Sequence, residues 1–137
     1  VFDFVDAGLP STVCPETTYR EALDLLLSKI AACNADILVA EAGASPLEPY
    51  NGAMLVKRLG DLTRFTVLCA SDPYAVLGVQ TAYGEHIKAD LVSGPAANTT
   101  SATRLVKELS GHRAMNLLDR NTYPELVAML KQALNLE

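Results

Sequence analysis

The sequence predicts an α/β domain, a three-layer sandwich built on a mainly parallel five-stranded sheet, and three observations lead to it. Short, continuous apolar runs alternate with longer amphipathic stretches from one end of the chain to the other. Each run closes on small or acidic residues, at Asp6-Ala7-Gly8, Glu41-Ala42-Gly43, Ser71-Asp72, Ser93-Gly94 and Asp119, as loops leaving strands do. The run Ile37–Ala40 is too short and too uniformly apolar to be amphipathic, which is the pattern of a strand covered on both faces.

Taken in order, Val1–Val5 reads as the first strand and is followed by turn-rich chain to Glu16. Thr18-x-x-Glu21 has the form of a capping box, and Ala22, Leu23, Leu26, Leu27 and Ile30 give the helix after it an apolar face. The strand Ile37–Ala40 leads into a loop with Pro46 and Pro49, then a helix marked by Met54, Leu55 and Leu59 that ends near Gly60. Phe65–Ala70 is the third strand. Asp72-Pro73 supplies an N-cap with proline at the first helical position, and Ala75, Val76, Val79 and Tyr83 mark the buried side of that helix. Asp90–Val92 is a short strand, Thr100–Leu109 a helix stopped by Gly111, and Ala114–Leu118 the last strand. Thr122-x-x-Glu125 then caps a final helix with Leu126, Val127, Leu130 and Leu134 at helical spacing.

Composition sets the outer bounds. With 137 residues, 50% of them hydrophobic and 20% charged, the whole of 1–137 fits one domain with a proper core. The net charge of -5 argues against nucleic acid, whose binding requires clustered Lys and Arg. No apolar run approaches the roughly 18 residues that span a bilayer and no leader pattern is seen, so the expectation is a cytoplasmic protein without membrane association. Cys14, Cys33 and Cys69 lack metal-ligand spacing and read as reduced thiols.

In open parallel sheets, ligands bind outside the carboxyl ends of the strands, so chemistry is sought at the loops just named. Glu41 and Asp6 are the candidate catalytic and metal-binding carboxylates, because Mg2+ takes one or two carboxylates and keeps water in its remaining positions. Gly8 and Gly43 would let backbone approach a ligand, and Ser11, Thr12 and Ser45 offer hydroxyls. The loop Ser93–Thr100 feeds a helix N-terminus, with Ser93, Gly94, Asn98 and Thr99 as candidate cofactor contacts. Asn116 and Asp119 have the groups to read the edge of a base. Asp6, Glu41 and Gly43 have a plainer reading as turn residues, and Thr99 or Thr100 as an N-cap. Tyr50 and Asn51 fit the mouth of a pocket. His86 and His112 fall at the opposite strand ends and form no triad with Cys69 or a serine.

Neither Gly-x-x-x-x-Gly-Lys-Ser/Thr nor Gly-x-Gly-x-x-Gly occurs in the chain. Even so, Asp3–Thr12, Ala35–Ser45 and Asp90–Gly94 resemble the later part of an uncharacterised P-loop NTPase-like family, similar in fold to dethiobiotin synthetase and the molybdopterin-guanine dinucleotide GTP-binding adaptor. The resemblance implies a P-loop NTPase-like or Rossmann-like sheet, Mg2+ held at Glu41, and ATP or GTP as cofactor. It implies phosphoryl transfer or ligation on a small anionic metabolite. The phosphate-binding loop of that family would precede Val1, so the expectation is a C-terminal part that works with a missing N-terminal domain; a homo-oligomer is left open. The alternative is a non-catalytic, flavodoxin-like module that binds a ligand or an interaction partner without metal.

Overall fold

The computed structural model describes residues 1–136 and divides into two compact units, the first Val1–Leu59 and the second from Gly60 onward. The first is all helix and coil. Its opening residues are not a strand: Phe4–Ala7 is a 3-10 turn. Asp3 and Asp6 form a reciprocal cap there, the Asp6 carboxylate accepting from the Asp3 amide at 2.8 Å, and Gly8 ends the turn at φ +83°. Local carboxylates satisfy the backbone more cheaply than a strand could without a neighbour.

Helix α1 runs Glu16–Ala31, one turn earlier than the Thr18 capping box implies, because Pro15 sets its start and no side chain caps it. Tyr19, Ala22, Leu23 and Leu26 are its buried stripe, at the 3.6-residue period. Tyr19, Ala22 and Leu23 pack with Leu9 and with Leu55 of helix α2, Gly52–Leu59. The Phe4 and Tyr19 rings lie 5.0 Å apart in this core. Asn51, at φ +59°, ties α2 to the chain before α1 by donating its amide to the carbonyls of Thr12 at 2.7 Å and Cys14 at 3.1 Å. Arg58 reaches Asp24 across the two helices at 3.0 Å, both half-exposed, a link worth little alone.

The second unit holds all the strand structure of the described residues. Strand β1, Val67–Cys69, pairs in parallel with β2, Leu91–Ser93, in the register Val67 to Leu91. Helix α3, Pro73–Tyr83, connects them, capped by Asp72 as the sequence indicates. Beyond β2, the expected strand Ala114–Leu118 contracts to one parallel bridge between Val92 and Ala114. Helix α4, Thr100–Ser110, ends at Gly111 with φ +75°, and helix α5 spans Tyr123–Leu134. Val76, Val92, Ala96 and Val106 are sealed in the core.

The five-stranded parallel sandwich is therefore corrected to a mixed, mainly helical chain with a two-stranded parallel sheet. A Rossmann-like or P-loop-type sheet does not fit it. Val1–Val5 and Ile37–Ala40 have strand composition but no strand in their own unit to pair with, and without a partner the backbone gains no ladder hydrogen bonds.

Candidate functional site

Asp6 and Glu41 both lie in the first unit, in different settings. The Asp6 carboxylate is occupied by the cap described above, and its carbonyl accepts from Lys29 Nζ at 2.7 Å. Glu41 is exposed in irregular chain and joins no hydrogen bond or ion pair among the described residues. Gly43 has open space where a side chain would stand, so no close approach there requires glycine. Ser45 belongs to a turn: its hydroxyl accepts from the Leu47 amide at 3.2 Å, and its amide donates to Glu48 at 3.0 Å.

A shallow groove of about 440 Å³ lies beside this turn, lined by Val13, Cys14, Pro46, Glu48, Asn51 and Gly52. Asn51 is thus placed at a groove, as its sequence position suggests, but its amide is held by two carbonyls. In the core of the same unit Tyr19 is buried, and that burial, together with the Cys14 thiol, pushes its hydroxyl up to about 12.

In the second unit the strand ends do converge, and the chain's own backbone fills them. Gly94, at φ +83°, lies so close to β1 that an added Cβ would sit 2.9 Å from the Ala70 carbonyl. The Ala96 amide donates to that same carbonyl at 3.0 Å, and Ala96 and Ala97 are fully buried. Ser93 is buried with its hydroxyl donating to the Met115 carbonyl at 3.0 Å. Thr99 caps α4 by accepting from Ala102 at 3.1 Å. Asn116 donates to the Asn98 carbonyl at 3.2 Å and accepts from the Leu118 amide, while Asp119 accepts from the Asn121 amide at 3.0 Å. Asp72 caps α3, and the Ala75 amide, with the Ser71 hydroxyl and the Tyr74 amide, holds its carboxyl below the usual range. Of the ten candidates, Ser93, Gly94, Asn98, Thr99 and Asn116 are gathered around one loop, where they lock it shut.

His86 is exposed and His112 half-buried, and among the described residues no three His, Cys, Asp or Glu side chains come together as metal ligands would. The three cysteines are free thiols. No helix of the described residues is long and apolar enough to cross a membrane.

The feature that residue-by-residue reading passed over is a stretch of bare backbone. From Asp36 to Ala44 no main-chain group is hydrogen-bonded among the described residues, and Ile37, Leu38 and Val39 are 51%, 49% and 89% exposed. The signal lay in the string Asp36-Ile37-Leu38-Val39-Ala40-Glu41, a strand core bracketed by acids. No protein-family model, curated protein or solved structure matches the chain.

Proposed function

We propose that the chain is an interaction module that presents Ile37–Ala40 for strand addition to a partner. One observation carries the reading: a strand-forming run lies exposed with both its apolar side chains and its backbone donors and acceptors free. Such a segment offers main-chain hydrogen bonds for affinity and alternating side chains for specificity. A solvated apolar run of this kind is otherwise a liability that proteins cover or break.

The reading as part of a Mg2+- and nucleotide-dependent enzyme is the less favoured, since Asp6 is engaged in a cap and the Ser93–Thr100 loop is packed against β1. Hydrogen exchange on the isolated chain tests the proposal. The amides of residues 37–40 should exchange within seconds at neutral pH, like those of an open coil. Protection lasting hours would mean that the segment is already paired, and the proposal fails.

A further inference from the structure

The acids at the two ends of the bare segment say which kind of strand it accepts. Asp36 and Glu41 are exposed and form no ion pair or hydrogen bond among the described residues. They bracket four apolar residues, so in any pairing that aligns those four, both termini of the partner strand lie beside a carboxylate. A second copy of this chain meets this arrangement badly. Paired antiparallel, Asp36 faces Glu41 at both ends; paired parallel, each acid lies beside its own twin. Like charges placed across a strand pair repel, and flanking charges of this kind keep apolar strands from self-pairing. The chain's net charge of -5 adds to the repulsion between copies.

Resting on the reading of Ile37–Ala40 as an open docking strand, we infer that its partner is a different protein, whose receiving strand carries an apolar core of about four residues flanked by Lys or Arg. Ile37 and Val39 point to one side of an extended segment and Leu38 and Ala40 to the other, so the receiving edge is apolar on both faces. The carboxylates then act twice, by steering the basic strand in and by keeping other copies out.

The test uses the full chain and two capped peptides that share a four-residue Val/Ile core, one flanked by lysines and the other by glutamates. Binding is read as protection of amides 37–40 from hydrogen exchange at low ionic strength. The lysine-flanked peptide should bind about tenfold or more tighter than its twin, and 0.5 M salt should shrink the difference. The double variant Asp36→Lys with Glu41→Lys should reverse the preference. Equal protection by both peptides, protection by neither, or concentration-dependent self-association of the wild-type chain overturns the inference. Amides already protected before any peptide is added defeat the docking reading itself, so the two failures are told apart.

Discussion

Ile37–Ala40 and Leu91–Ser93 are both brief runs built on branched apolar residues, and the structure treats them oppositely. Leu91 and Val92 are fully buried, with β1 on one side and the Ala114 bridge on the other. The Val92 amide donates to the Arg113 carbonyl at 2.8 Å and its carbonyl accepts from Met115 at 3.0 Å. Ile37–Ala40 has no such neighbour within its own unit. Strand composition states what a segment can do once flanked; whether it becomes a strand is decided by the backbone beside it.

Substitution at the middle of each run gives the widest separation. Val92→Asp places an unpaired charge in a sealed core and should cost 4 kcal/mol or more, on the order of a small domain's whole stability. Val39→Asp, at an 89% exposed site, should stay within about 0.5 kcal/mol. Urea titration followed by circular dichroism measures both; a comparable loss from Val39→Asp would show that its run is covered after all.

A second contrast sets the two units against each other at alkaline pH. The Tyr19 hydroxyl, at about 12 when folded and about 10 in an unfolded chain, binds its proton more firmly in the native state. The stability it contributes is complete below pH 10 and is lost as pH rises toward 12, on the order of 2–3 kcal/mol, from the first unit alone. Exchange rates in the second unit should not follow that drop, and Tyr19→Phe should remove it.

The smallest effect compares two glycines that close their runs. Gly94→Ala meets the Ala70 carbonyl at a positive φ and should cost about 1–2 kcal/mol in thermal melts. Gly43→Ala, with open space around it, should be neutral or slightly stabilising. Equal effects would mean that the loop after β2 is looser than its hydrogen bonds indicate.

Much of the helical layout is legible in the residues themselves. Asp72-Pro73 marks the start of α3, Gly111 the end of α4, and the 19, 22, 23, 26 spacing the buried face of α1. Those signals are local, and the structure uses them locally. The failures are non-local: Val1–Val5, Ile37–Ala40 and most of Ala114–Leu118 needed partner strands that periodicity cannot supply. The candidate site was legible as a set of strand-end polar residues. Thr99 was legible as an N-cap too, but that Asn116 and Asp119 would brace their own loop was not, because the same side chains that can hold a ligand also satisfy a loop's own backbone groups.

The contact between Gly94 and the Ala70 carbonyl also has a genetic meaning. Every amino acid other than glycine brings a Cβ, so each missense change available to that codon meets the same oxygen. Gly43, three residues past its own run, has no such neighbour, and a Cβ there would stand in open space. Only the silent third base of codon 94 can change without that cost, so a single close approach between two loops carries through to the nucleotide sequence.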